Sequence, residues 1–292
     1  MKIVSVQQMK AIEQSANKAG MSYESMMAHA GRGVADWVLA NMNASKGVAG
    51  LVGSGNNGGD TLIALTRIAE KGFRTQAFLV RPREGDSLVA AYENFGGEVI
   101  DLTEKSNFAY LAAFLAPGAI LLDGVLGTGF QLPVRDALEN IMTQIQEIVR
   151  QQPEVQVVAV DCLSGIDCDS GEAADQTLSA QITLTMAAVK QGLLREPASN
   201  FTGQIRLVDI GIGPIENYLK ENGPVLLDSD TIAEFLPKRP ETGHKGTFGT
   251  CLAVAGTKQY TGAAYLTGKA AYRSGCGLVN VATVPPVRDS LA

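Results

Sequence analysis

From Gly47 onward the chain is a succession of short apolar runs, "GVAGLVG", "TQAFLV", "EVIDL", "AILLDGV", "VQVVAVD", "QITLTMA" and "QIRLVDI", separated by amphipathic stretches such as residues 60–71. Runs that are apolar throughout, rather than alternating, suit strands buried on both faces. Helical segments between them imply right-handed crossovers joining parallel strands. The pattern predicts a doubly wound α/β sandwich with a mostly parallel sheet. Two helices are expected before it. Ser5 and Gln8 make a capping-box pair and Gly20 stops the first helix; the second follows Ser22 and turns Met26, Met27, Val34, Trp37 and Val38 toward the core.

The periodicity breaks in "EFLPKRPETGHKGTFGT", at Pro237, Pro240 and Gly243. A strand "TCLAVAG", a helix and a strand "GLVNVATV" follow. A domain boundary is expected between residues 225 and 240, giving one domain over 1–225 and a linker plus further domain over 226–292. One β-α-β unit is too little for an independent core, so the sequence reads as cut off inside that second domain.

With 292 residues, 46% of them hydrophobic, the chain has ample material for a large core. A net charge of -6 and the lack of any Lys/Arg run argue against a sequence-independent nucleic-acid binder. The opening "MKIVSVQQMKAIEQSANKAG" is too broken by polar residues for a signal peptide or membrane span, so a cytoplasmic protein with no membrane partner is expected. Cys162, Cys168, Cys251 and Cys276 lack paired metal spacing, and only His29 and His244 accompany them, so reduced thiols are expected rather than a zinc site.

The chemistry concentrates in "LVGSGNNGGDTL". Gly53, Gly55 and Gly58 satisfy G-x-G-x-x-G between a strand and a helix, where bare amides meet an anion at a positively polarised helix start. Asn56, Asn57 and Asp60 add amide and carboxylate oxygens that suit a hydroxylated ligand or a hard cation. Equally, the asparagines tolerate left-handed angles and Asp60 caps the helix. The second strand ends in "LVRPRE", where Arg81 and Arg83 either accept a ribose 2′-phosphate or are solvated loop charges, the latter slightly favoured.

Two more strands run into Asp123 and Asp161, the latter followed by Ser164 and Gly165. Loops at the carboxyl ends of parallel strands line one crevice, so Asp60, Asp123 and Asp161 are expected to converge. Ser54 and Ser164 lack the G-x-S-x-G elbow, and His29 sits in a helix where a packed or capping role is expected.

Taken together, "GSGNNGGD", "DGVLGTGF", "DCLSGIDCDSGE" and "TLTMAAVKQGLL" resemble the NAD(P)HX epimerase family, the N-terminal half of a bifunctional NAD(P)H-hydrate repair enzyme, over roughly residues 5–225. The resemblance implies a Rossmann-like three-layer αβα sandwich that interconverts the R and S forms of hydrated NADH or NADPH, as a homo-oligomer. It also implies that Asn56, Asn57, Gly58, Gly59 and Asp60 form the substrate-binding loop, with Gly127, Thr128, Gly129, Phe130, Gln131, Leu132 and Pro133 as a second substrate segment and Asp161 as a further contact. Asn57, Asp123 and Ser164 match the positions that hold a potassium ion, and all three are oxygen donors, as a hard ion requires.

The reacting centre would be a ring carbon bearing a hydroxyl next to an enamine nitrogen. Asp161 is the candidate acid/base, since burial at a strand end would raise its pKa toward neutrality. Lys190 in "AVKQGLL" supports the charge or is simply solvated, the commoner case. The chain departs from the family at Ala28, where a carboxylate is usual, at Leu163, where proline precedes the serine, and at Thr61, where glycine is common. The tail from His244 is similar to the opening of the ADP-dependent NAD(P)HX dehydratase domain, a ribokinase-like fold that would be incomplete here, and no dehydratase activity is expected. Two other functions fit the pattern: a non-catalytic nucleotide-binding module, which would bind without accelerating epimer exchange, and an NADP-dependent oxidoreductase, which would show hydride transfer.

Overall fold

The computed structural model describes residues 1–219, 223–285 and 287–288. The chain divides into two compact units, Met1–Leu227 and Asp228–Ala292.

The first unit opens with a short strand β1 (Ile3–Val4) and helices α1 (Val6–Lys18) and α2 (Tyr23–Asn41). There follow β2 (Val48–Val52), α3 (Asn56–Glu70), β3 (Thr75–Leu79), α4 (Ser87–Asn94), β4 (Glu98–Asp101), α5 (Phe108–Phe114), β5 (Ile120–Gly124), α6 (Asp136–Arg150) and β6 (Gln156–Val160). The last strands are β7 (Ile182–Met186), β8 (Val189–Lys190) and β9 (Gln204–Val208). Seven of these strands form one parallel sheet in the order β4-β3-β2-β5-β6-β7-β9. They are the seven apolar runs of the sequence. β1 pairs with β8 outside this sheet, Ile3 beside Val189 and Val4 beside Lys190.

The sheet divides two cores. On one face Ala49, Leu51, Leu121, Val157 and Ala159 pack with α5 and α6; on the other Val48, Val52, Ile120, Val158 and Val160 pack with α1, α2 and α3. Successive strand residues point to opposite faces, so a strand covered on both sides is apolar on both, as β2 and the middle of β5 and β6 are. This three-layer αβα arrangement is why the runs do not alternate.

Both leading helices start where their caps predict. Ser5 and Gln8 form the reciprocal capping box, and Ser22 caps α2. Met26, Val34 and Val38 are buried, whereas Met27 and Trp37 are half-buried, because they flank the stripe that faces the sheet. All four cysteines are free thiols.

The chain steps from β2 outward to β3 and β4, then returns to the other side of β2 at β5. The strand order therefore reverses between β2 and β5. In an open parallel sheet this is where loops diverge and a crevice opens beyond the carboxyl ends.

The second unit holds α7 (Ser229–Phe235), β10 (Thr250–Val254), α8 (Gly262–Arg273) and β11 (Leu278–Ala282), with β10 and β11 paired in parallel. The expected strand-helix-strand is present.

Candidate active site

At the switch point a cleft of about 280 Å³ is walled by Gly53, Ser54, Gly55 and Asn57 after β2, Arg81 after β3, and Gly127, Gly129 and Phe130 after β5. Glycine is required here by close approach. A Cβ on Gly53 would fall 1.9 Å from the Val125 carbonyl oxygen, and one on Gly58 would fall 2.0 Å from that of Gly53. Helix α3 begins at Asn56 with Gly55 as its cap, which has no side chain to accept the first amides. Those amides and the helix dipole are left for an anionic ligand.

This start corrects two expectations. Residues 56–60 are the opening of a helix rather than a loop, and Asp60, a full turn in, does not cap it. Asn56 is exposed, while Gly58, Gly59 and Asp60 are buried away from the cleft lining. Gly127, Gly129 and Phe130 face the cleft and Thr128 belongs to their turn; Gln131, Leu132 and Pro133 lie outside its lining. Arg83 is no solvated charge either. Its guanidinium donates to the carbonyls of Gly53 (2.6 Å) and Gly55 (3.1 Å) and to Asp86 (2.7 Å), clamping the turn. Thr61 donates back to the Asn57 carbonyl (2.9 Å).

Below the cleft, Asn57, Asp123 and Ser164 are brought together from three elements. Ser164 donates through its hydroxyl (2.5 Å) and its amide (2.9 Å) to the two oxygens of Asp123. The Leu126 amide donates to the Ser164 hydroxyl (2.9 Å), and the Asn57 side-chain amide donates to the Leu126 carbonyl (2.8 Å). Burial pushes the Asp123 carboxyl up, and the hydrogen bonds from Ser164 oppose that. The buried Oδ1 of Asn57 has no hydrogen-bond partner. An orphaned buried acceptor costs about 1–3 kcal/mol, and an all-oxygen donor set is what a hard cation completes.

Two strands along, Asp161 follows β6 with φ 64°, a left-handed backbone rare outside glycine. That conformation aims the carboxylate across the end of β7, where the Met186 amide donates to it (2.9 Å). Lys190 donates to the same oxygen, to the Met186 carbonyl (2.9 Å) and to the Thr185 hydroxyl (3.2 Å). Lys190 is only 1% exposed, against the solvated lysine expected. Its backbone is held in place by β1, and its stem is enclosed between core residues; a cation there requires a buried partner. The Asp161 side chain keeps 15% exposure, enough to meet a ligand.

Asp60 and a residue the sequence did not single out, Glu13, share the field of this pair. Burial pushes the Asp60 carboxyl well up, and the negative charges of Asp161 and Glu13 add to the effect while Lys190 opposes it. Glu13 is raised for the same reasons, burial first and then Asp161. A signal existed for Glu13: it lies on the α1 face that buries Met9, Ile12 and Ala16, as the one acid on that stripe. Asp60 feels the charge of Asp161, and Asp123 is bonded to Ser164 on the loop that Asp161 opens after β6. His29 is exposed, its ring nitrogen 2.8 Å from the Ser25 carbonyl and its ring lying against Gly211.

A parallel three-layer sandwich with a glycine-walled cleft at its switch point, and a buried lysine-carboxylate pair further along the same rim, defines an α/β protein with its crevice where such folds place their ligands. The chain belongs to the family described as YjeF-related protein N-terminus, whose model matches residues 23–192. A second model, NAD(P)H-hydrate dehydratase, matches residues 251–290. A protein of Microbacterium testaceum named NAD(P)H-hydrate epimerase is 32% identical over 218 residues, 74% of this chain and 81% of that one. A bifunctional NAD(P)H-hydrate repair enzyme of Moorella thermoacetica is 32% identical over 245 residues, 82% of this chain but 45% of its own length. The chain spans about half the length of such bifunctional relatives. The crystal structure of the yeast protein ynu0 (YNL200c) shares the fold, with a TM-score of 0.59 and 22% identity over 71% of this chain and 87% of that one. Among the described residues no helix is long and apolar enough to cross a membrane.

Proposed function

We propose that the chain interconverts the R and S epimers of hydrated NADH and NADPH, acting as a homo-oligomer in the cytoplasm. Residues 1–225 would form the epimerase domain and residues 226–292 a linker and N-terminal part of a dehydratase-like domain. The observation that carries this is the buried Lys190 on Asp161 at the strand-end rim, beside Asp60, in a chain similar to a named epimerase.

The reaction needs the hydroxyl to leave and return on the opposite face of the ring. A proton delivered to the hydroxyl oxygen turns it into water; the C–O bond breaks as the ring nitrogen's lone pair forms an iminium. Water then adds to the other face and gives up a proton. Asp161 is the group assigned to this proton traffic, with Lys190 and the Met186 amide fixing its carboxyl. Asp60, whose burial favours the protonated form, is a second carboxyl within the field of Asp161. Asn56, Gly58 and Gly59 would shape the opening of α3, and the Gly127–Pro133 segment the opposite wall.

Potassium is the cation assigned to Asn57, Asp123 and Ser164, supported by the orphaned Asn57 oxygen and the all-oxygen donor set. When bound, it would supply positive charge to neutralise the buried Asp123 and anchor the turns after β2, β5 and β6.

Chromatography of an R/S hydrate mixture, with a dehydratase supplied separately to drain the S form, tests the assignment. The wild-type chain should drain the R form rapidly. Asp161→Asn should slow this by about 10²–10⁴-fold, the usual span for a general acid/base, while still binding the dinucleotide. No acceleration by the wild type would end the epimerase assignment, and full activity in the variant would remove Asp161 from it.

A further inference from the structure

Arg81 and Arg83 follow the same strand, yet only one of them has work inside the protein. Arg83 is committed to Asp86 and to the carbonyls of Gly53 and Gly55. Arg81 is exposed, lines the cleft beside Gly53 and Gly55, and makes no hydrogen bond or ion pair with any described residue. Its place in the fold is telling. In a β-α-β unit with a glycine turn, a residue just past the second strand reads the ribose 2′ position: an acid for a hydroxyl, an arginine for a phosphate. Arg81 stands two residues beyond β3, the strand adjacent to β2. No acid competes for that task. Asp86 is occupied by Arg83 and by the Leu88 amide (2.8 Å), and Glu84 lies outside the cleft lining.

We infer that Arg81 recognises the 2′-phosphate of the adenosine ribose, so that the crevice prefers hydrated NADPH to hydrated NADH. This rests on the epimerase assignment for the reacting end, and the spacing fits it. From β3 to β6 is three strand steps, about 14 Å at the usual separation, which carries a dinucleotide from its adenosine ribose at Arg81 to its nicotinamide at Asp161. The bare amides between them, at Gly55 and the start of α3, suit the pyrophosphate.

The experiment uses the whole chain and two probes that differ only in the phosphate, adenosine 2′,5′-bisphosphate and 5′-AMP, titrated by calorimetry. The wild type should bind the bisphosphate about 10- to 100-fold more tightly, the worth of one or two charged hydrogen bonds. Arg81→Ala should reduce that ratio to within about twofold, and Arg81→Lys should keep part of it because the charge remains but the paired donors are lost. In turnover, Arg81→Ala should raise KM for hydrated NADPH by a similar factor and leave hydrated NADH within about twofold. Equal weakening of both probes would mean a shared phosphate is being read, and an unchanged ratio would mean Arg81 reads nothing; either overturns the inference. Arg81-dependent discrimination in a chain that epimerises neither hydrate would leave this site standing and defeat the activity assignment instead.

Discussion

The strands β2 and β10, "VAGLV" and "TCLAV", are equal in length and both largely apolar, but they differ in environment. Every residue of β2 is buried, whereas in β10 Leu252 is 66% exposed and Val254 80% exposed. The difference lies in what surrounds each strand. β2 has hydrogen-bonded neighbours on both edges and helices on both faces, while β10 pairs with β11 and has α8 beside it. An apolar run specifies an extended segment; only a second layer converts it into a core. The first unit has that second layer twice over.

The contrast is most easily broken through stability. Phe78, fully buried and set edge-on to Phe114 with centroids 6.3 Å apart, sits where α5 meets the sheet. Phe78→Ala should cost about 3–5 kcal/mol, because the surrounding helices close only partly over the space vacated. Leu252→Ala should change stability by less than about 0.5 kcal/mol, as expected of an exposed side chain. Denaturant melts of both variants decide the matter, and comparable losses would mean that β10 is buried in solution.

The same contrast explains what was legible in the sequence. The central strands of the large sheet could be read because double-sided burial leaves a largely apolar run, the edge strands β4 and β9 from shorter apolar stretches that keep exposed positions, and helix α1 because Ser5 and Gln8 announce it locally. Asn57, Asp123 and Ser164 are gathered by the resemblance of their motifs, whereas strand-end topology alone points to Asp60, Asp123 and Asp161. Lys190 could not be read as buried, since what holds it is the pairing of β8 with the chain's opening strand, a contact set by tertiary structure. The start of α3 was hidden for a different reason. Its cap is a glycine without a side chain, and the helix begins early because Gly58 allows the turn to press on the Gly53 carbonyl. The clamp that Arg83 puts on the glycine turn was illegible because its acceptors there are backbone oxygens, which carry no residue signature.

A smaller effect sharpens the picture of the rim. Asp60 is raised in the folded protein by burial and by neighbouring negative charge. The native state therefore holds its proton after the unfolded chain has lost it, and stability falls as pH rises from the ordinary aspartate range through the raised native value. Asp60→Asn keeps the shape and removes the titration. It should flatten that decline, raising the melting temperature at neutral pH by on the order of a few degrees and leaving it nearly unchanged at pH 4. Melts across pH 4–8 test this; a variant that tracks the wild type throughout would show that the Asp60 carboxyl is not strained by its surroundings.

The smallest effect is expected from removing the second unit altogether. Each residue assigned to the cleft, the rim pair and the oxygen cluster lies within Met1–Leu227. That span also contains the contacts that tie off its own end, where the N-terminal ammonium donates to the Leu226 carbonyl (2.9 Å) and Lys2 bridges to Val225. A chain ending at Leu227 keeps both cores and every strand-end loop, so its kcat/KM should stay within about twofold of the full chain, and its melting temperature within about 2 °C. A larger loss of kcat/KM with an unchanged melt would show that residues 228–292 act on the crevice directly. A lowered melt would show instead that residues 228–292 add to the stability of the first unit.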